Sequence, residues 1–412
     1  MLADIPVVLI LVGLIAYVVL AGADFGAGLW TLFSGGGRAD PAATREHARR
    51  AMGPVWEANH VWLIFVLVVC WTAYPIAFSS ITSTLAIPLF IAAVGIILRG
   101  TAYALRGQVE GAPGQRTVER VFALSSILTP FALGTVVGGI ASARVPVGNA
   151  QGNLVTSWLN PTGILIGTLM VVFCGYLAAV YLAADAKRSG VQALELDFRA
   201  RALVAGGVAG ALALAGLPVI RHDAHALWEG LISGAGLATI CLSVVAGSLT
   251  LALVWRGRLE LARVSAAAAV AAIVAGWAVA QEPYILPGLT ISQAAAGRST
   301  LLAIVISMPI GAVVLVPSLA LLFSLFLRGL LYPAAEPAPE GQHNRLVTRL
   351  GPAQALAPLA GVSLVAGAIL MVLLDSGWAH VIGVLCLFTG AVSAFVLATT
   401  TPDEEAPPAE GQ

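Results

Sequence analysis

Glu57, Asn59 and His60 bring a carboxylate, an amide and an imidazole to the start of a long apolar run. They sit in Gly53-Pro54-Val55-Trp56-Glu57-Ala58-Asn59-His60-Val61-Trp62. An acidic residue at the centre of a membrane helix costs about 2.5–3.5 kcal/mol, and less near an end. A chain that keeps such a group uses it. Glu57 and His60 are three residues apart, so a helix presents both on one face. Carboxylic acid and imidazole both exchange protons near neutral pH when their surroundings tune them. A second acid, Asp24, lies in another apolar run. The chemistry these residue types suit is proton transfer, with Asp24, Glu57, Asn59 and His60 along the route. Trp56 and Trp62 flank the acid as packing or interface residues. Arg99 ends a third apolar run, as a topology anchor or as the ion-pair partner of one of the acids.

The elements that carry these residues follow from composition. Of 412 residues, 59% are hydrophobic and 10% charged, with mean hydropathy +0.93. Uncharged runs such as Leu301 to Leu327 exceed the ~20 residues that cross a bilayer. The fold class expected is an all-α, multi-pass membrane protein, because helices satisfy their own backbone in lipid. A net charge of zero gives no reason to expect nucleic acid as a partner. The first apolar run has no basic leader and continues through Asp24 to Phe33, so it reads as a span and not a cleaved signal. Cys70, Cys174, Cys241 and Cys386 lie in apolar runs with no C-x-x-C spacing, which suits small buried hydrophobes. His222, Asp223, His225 and Glu229 read as an ordinary polar loop, and no metal site is expected.

Apolar runs set against charged and Pro/Gly-rich breaks give eleven candidate spans: 5–33, 54–74, 76–98, 119–142, 159–184, 199–220, 229–255, 261–281, 299–327, 354–374 and 378–398. Prolines within them, including Pro88, suggest kinks. Loops after odd-numbered spans hold Arg38, Arg45, Arg49, Arg50, Arg99, Arg106, Arg116 and Arg120. They also hold Lys187, Arg188, Arg199, Arg201, Arg256, Arg258, Arg263, Arg328, Arg345 and Arg349. Only Arg144, Arg221 and Arg298 fall on the other side, from a total of 21 basic residues. Positive residues collect on the cytoplasmic face, so the N-terminus is expected outside and the C-terminus inside. Asp24 and Glu57 then lie near the cytoplasmic face, in neighbouring layers of adjacent helices.

These residues carry a resemblance to subunit II of cytochrome bd-type quinol oxidases. It rests on Gly22-Ala23-Asp24-Phe25-Gly26-Ala27-Gly28 and on Gly53 to Ile64. Leu159-Asn160-Pro161-Thr162-Gly163, Pro283-Tyr284-Ile285-Leu286-Pro287 and Val314-Leu315-Val316-Pro317 add to it, in family order across about 5–330. The resemblance implies a nine-helix core of two four-helix bundles plus one helix. It implies a haem-bearing subunit I holding two b-type haems, one d-type haem and the quinol site. The complex would oxidise quinol and reduce dioxygen to water in the bacterial cytoplasmic membrane. This chain would be its non-haem subunit, and the acid after Trp56 would belong to a proton path toward the d-type haem. Two departures stand out. The family often has Asp where this chain has Glu57, and 354–398 adds a hairpin beyond nine helices.

The organisation expected is therefore a core over 1–330, a polar Pro-rich linker over 331–353, the hairpin over 354–398 and an acidic disordered tail over 399–412. Haem iron takes His, Met or Cys ligands, and His60 is the only histidine well inside a span, so no haem is expected on this chain. A small single-helix subunit, a membrane lipid or a structural quinone would each fit and leave no readable motif. Without the resemblance, a proton-coupled secondary transporter using Asp24 and Glu57 is the competing reading.

Overall fold

Long apolar runs broken by Pro, Gly and charge become helices stacked side by side. The structure is a computed structural model, and it describes residues 2–51, 55–105, 109, 112–327, 356–373, 378–379, 382–387, 389–390 and 393. The chain divides into two compact units, Met1–Ser324 and Leu325–Gln412.

In the first unit the order is α1 (Ile5–Leu32), α2 (Pro41–Ala51), α3 (Val55–Ala73), α4 (Pro75–Thr84), α5 (Ala86–Leu105), α6 (Ala112–Ala141), α7 (Pro161–Arg188) and α8 (Gln192–Asp223). Then come α9 (His225–Leu231), α10 (Gly234–Trp255), α11 (Leu259–Gln281), the hairpin β1 (Tyr284–Leu286) and β2 (Leu289–Thr290), α12 (Ile291–Ala294) and α13 (Arg298–Leu327). Among the described residues, eight helices are long and apolar enough to cross a membrane, and α3 adds a shorter apolar stretch, Asn59–Ala73.

α7 is the central post, packing on α1, α6, α8 and α11. Its buried face is small: Ala178, Ala179, Ala183, Ala184 and Ala186 are all at most 1% exposed. Small residues let backbones approach, which drives helix association where lipid offers no hydrophobic contrast. Gly134 and Gly138 of α6 meet Gly167 and Gly163 of α7, where an added Cβ would come within 2.7 and 2.5 Å of the facing Cα atoms. The start of α7 is set by Asn160, whose side chain accepts the Gly163 N–H at 2.8 Å, followed by Pro161 in the first turn.

The third expected span, 76–98, differs from the structure. It is two helices, α4 and α5, broken at Leu85. Pro88 falls in the first turn of α5, where no backbone N–H is needed, so it begins a helix and does not kink one. The hydroxyls of α4 hold a loop: Ser80 Oγ accepts from Gly148 N at 3.0 Å and Ser83 Oγ from Ala150 N at 2.8 Å. The membrane-length helix is thus Ala86–Leu105, which carries Arg99 inside it and not in a loop beyond it. The span expected at 229–255 is likewise divided, into α9 and α10. A short amphipathic helix, α2, occupies what the hydropathy pattern left as a loop.

The second unit contains α14 (Leu356–Leu373). A Cβ on Gly367 would lie 2.8 Å from the Gly383 carbonyl, and one on Gly390 would lie 2.7 Å from Leu364 Cγ, so the described parts of 382–390 run back along α14. The linker at 331–353 and the tail at 399–412 lie outside the described residues.

Candidate functional site

Asp24 falls in the later half of α1, where Gly22, Gly26 and Gly28 keep the helix surface bare. A Cβ on Gly26 would meet the Cys174 carbonyl oxygen at 1.8 Å, and one on Gly28 would meet Ser126 Oγ at 2.2 Å and Arg99 Nη1 at 2.9 Å. The glycines therefore let α7 close on one side of Asp24 and a guanidinium close on the other.

That guanidinium belongs to Arg99, which is 1% exposed beside Asp24 at 7%. Arg99 Nη2 donates to Asp24 Oδ1 at 2.8 Å and to the Asp24 carbonyl at 3.0 Å. Arg99 Nη1 donates to Ser126 Oγ on α6. The Phe25 and Phe122 rings face the guanidinium carbon, at 4.9 and 4.3 Å from their centroids. Arginine keeps its charge in proteins. With Asp24 ionised the pair is neutral, and with Asp24 protonated a positive charge is left inside the bundle.

On the other side of α1 stands α3. Asn59 Nδ2 donates to the Leu20 carbonyl at 3.3 Å. The His60 ring sits edge-on between Tyr17 and Phe25, 6.0 Å from each centroid, and is close enough to Asp24 for the two to interact electrostatically. The antiparallel register that sets Asn59 against Leu20 brings the backbone of residue 57 within about one helical turn of the level of Asp24. The side chains of Trp56 and Glu57 lie outside the described residues, as do Gly53 and Pro54. Trp62 packs against the buried cluster formed by Tyr17, Ala21, Phe25 and Cys174, and makes an edge contact with Phe65 at 6.2 Å.

Three buried polar atoms here have no hydrogen-bond partner among the described residues: Asp24 Oδ2, Tyr17 Oη and Asn59 Oδ1. Buried polar atoms are nearly always satisfied, so these three are where a further polar partner would be accommodated. An apolar cavity of about 270 Å³ begins at Tyr17, Phe25 and Cys174 and runs to Tyr284 and Ile285.

The structure thus joins Asp24, Asn59, His60 and Arg99, and seats Trp62 against them. Sequence reasoning did not find Ser126, Phe122, Tyr17 or Cys174. Nothing in an apolar run distinguishes them until Arg99 is placed inside its helix. The residues expected in a polar loop lie in helices, His222 and Asp223 at the end of α8 and His225 and Glu229 in α9. There Asp223 accepts from Arg144 and from Thr162 N, the latter at 3.1 Å, and His225 Nδ1 lies 3.3 Å from Glu229. Among the described residues, no three His, Cys, Asp or Glu gather as metal ligands.

A family model described as cytochrome bd terminal oxidase subunit II matches residues 2–326. The chain is similar to cytochrome bd ubiquinol oxidase subunit 2 of Bacillus subtilis (strain 168), 28% identical over 176 residues, covering 42% of this chain and 50% of that one. It is similar to cytochrome bd-I ubiquinol oxidase subunit 2 of Escherichia coli (strain K12), 26% identical over 199 residues, covering 47% and 50%. The chain spans about half the length of the curated relatives it matches. Among solved structures, the bd oxidase from Geobacillus thermodenitrificans superposes with TM-score 0.64 at 23% identity, over 79% of this chain and 98% of that chain, which is a likeness of fold.

Proposed function

The chain belongs to the cytochrome bd terminal oxidase subunit II family, and from that premise we propose that it is the non-haem subunit of a quinol:oxygen oxidoreductase. It scaffolds a haem-bearing subunit I and supplies a proton path from the cytoplasm for reduction of dioxygen to water. Its core is nine helices, two four-helix bundles plus one, with the basic loops in the cytoplasm and the protein in the bacterial cytoplasmic membrane. The added hairpin at 354–398 lies beyond the family match, and a contact with a small single-helix subunit is one use for it.

The observation that carries this reading is the buried group of Asp24, Arg99, Asn59 and His60. It lies toward the basic end of the helices, the side from which protons would come. Three haems, two b-type and one d-type, need axial ligands. Among the described residues, the one histidine inside this bundle, His60, is wedged between Tyr17 and Phe25, and the haems are assigned to subunit I. This chain's residues hold and pass protons. Glu57 takes a proton at the cytoplasmic mouth. His60 and Asn59 orient the route. Asp24 takes up one proton, and the fixed charge of Arg99 beside it drives that proton onward. The apolar cavity beside Tyr17 has the lining to hold a lipid chain or the tail of a structural quinone. A proton-coupled secondary transporter has no support from the family.

The test is turnover of the assembled oxidase. Glu57→Gln is expected to slow oxygen consumption about tenfold or more, with the haem spectrum unchanged. Glu57→Asp, the commoner family residue, retains most of the rate. Unchanged turnover in Glu57→Gln removes the proton-path role and leaves scaffolding.

A further inference from the structure

We propose that Glu119 is a second proton-collecting carboxylate, feeding Asp24 along the seam between α5 and α6. The proposal rests on the proton-path reading above and extends it to the opposite side of α1.

Glu119 stands near the start of α6, at the basic end of the bundle, with a side chain 38% exposed. Its position is held from α2. Arg49 Nη1 lies 3.5 Å from Glu119 Oε1, and Arg49 Nε lies 3.3 Å from Glu46. α2 is itself docked: Ala48 is fully buried, and His47 Nε2 donates to the Leu182 carbonyl at 2.9 Å. A surface carboxylate is thus fixed in place and still open to solvent.

Glu119, Phe122 and Ser126 are spaced three and seven apart, so they form one stripe on α6. The inner end of that stripe is the site already described. Ser126 Oγ accepts from Arg99, and Phe122 lies 4.3 Å from the Arg99 guanidinium carbon. The axial rise from residue 119 to residue 126 is about 10 Å. α5 runs antiparallel beside α6 and places Tyr103 one turn from Arg99 toward the same end. Tyr103 packs against the same buried cluster that contains Phe122 and offers a phenol in that interval. A carboxylate at the surface, a phenol midway and a carboxylate at the end are the groups a proton relay needs. Arg99 carries no proton inward, because its guanidinium does not release one. In each transfer Glu119 gives its proton inward and takes one back from solvent, with no change in oxidation state. α1 packs against both α3 and α6, so the strips through Glu57 and Glu119 reach Asp24 from its two flanks.

The experiment measures oxygen consumption and haem content of the whole oxidase carrying Glu119→Gln, Glu119→Asp, Arg49→Gln or Glu57→Gln. The expected result is a turnover loss of about threefold to tenfold in Glu119→Gln with full haem content, and near-normal turnover in Glu119→Asp. Arg49→Gln keeps the carboxylate but frees it from α2, and is expected to lose clearly less turnover than Glu119→Gln. In Glu119→Ala, a small weak acid such as formate restores the rate in proportion to its concentration. Normal turnover in Glu119→Gln beside a slow Glu57→Gln overturns this proposal and leaves the proton-path reading standing. Normal turnover in both overturns the reading itself. Equal losses in Arg49→Gln and Glu119→Gln, or loss of haem from Glu119→Gln, make Glu119 a structural tie to α2 and also overturn the proposal.

Discussion

A guanidinium inside a membrane bundle needs a counter-charge, hydrogen-bond acceptors and a polarisable wall. Arg99 finds them in Asp24, Ser126 and the rings of Phe25 and Phe122. Removing one partner of a buried ion pair strands the other, at a cost of about 3–5 kcal/mol. Arg99→Ala is therefore expected to shorten the heat-inactivation half-life of the complex markedly, while Arg99→Lys, lacking the fork, falls between. Replacing both partners by apolar groups of similar size is often neutral for stability. The double variant Asp24→Leu with Arg99→Met should then assemble with normal haem content and turn over poorly. Assembly together with full turnover would show the pair to be structural only. Of these residues, Asp24 was legible in the sequence because an acid in an apolar run is costly. The pairing with Arg99 was one of two open alternatives, and its burial was hidden by a misplaced span.

At the scale of elements, the same glycine spacing does different work at different crossings. Gly22-x-x-x-Gly26 and Gly134-x-x-x-Gly138 mark close approaches, whereas in Gly206-x-x-x-Gly210 only Gly206 meets a neighbour and Gly210 faces nothing within 4 Å. Gly26→Ala would drive a methyl into the Cys174 carbonyl, and forcing volume into a packed seam costs about 1–3 kcal/mol. Gly210→Ala should be neutral or slightly stabilising, since alanine favours helix. Thermal unfolding of the purified complex separates the two, and equal effects would contradict the packing account. The break at Leu85 was not legible, because α4 is apolar enough to extend a span. Its Ser80 and Ser83 hydroxyls reveal their use only once the loop at 148–150 is folded onto them. α2 was missed for a related reason: hydropathy finds spans and is blind to a short surface helix.

At the scale of the molecule, the family match ends at residue 326, close to the boundary between the two compact units at Ser324. The solved bd oxidase chain is covered almost whole, 98%, by 79% of this one. A chain stopped after residue 330 is thus expected to assemble with subunit I and keep its turnover. A haem-free membrane fraction from that truncation would show instead that the hairpin is needed for assembly. The asymmetry of basic residues survives the relocation of Arg99, and with the proposed orientation the Asp24 site lies toward the cytoplasmic face. The measurement that bears most directly on the proton path is oxygen consumption by the intact oxidase carrying Asp24→Asn, with its haem spectrum recorded. Asparagine keeps the shape and hydrogen-bonding reach of the side chain and cannot carry the proton. Turnover reduced about tenfold or more with all haems in place is the expected result. Turnover equal to that of the unaltered complex would contradict it.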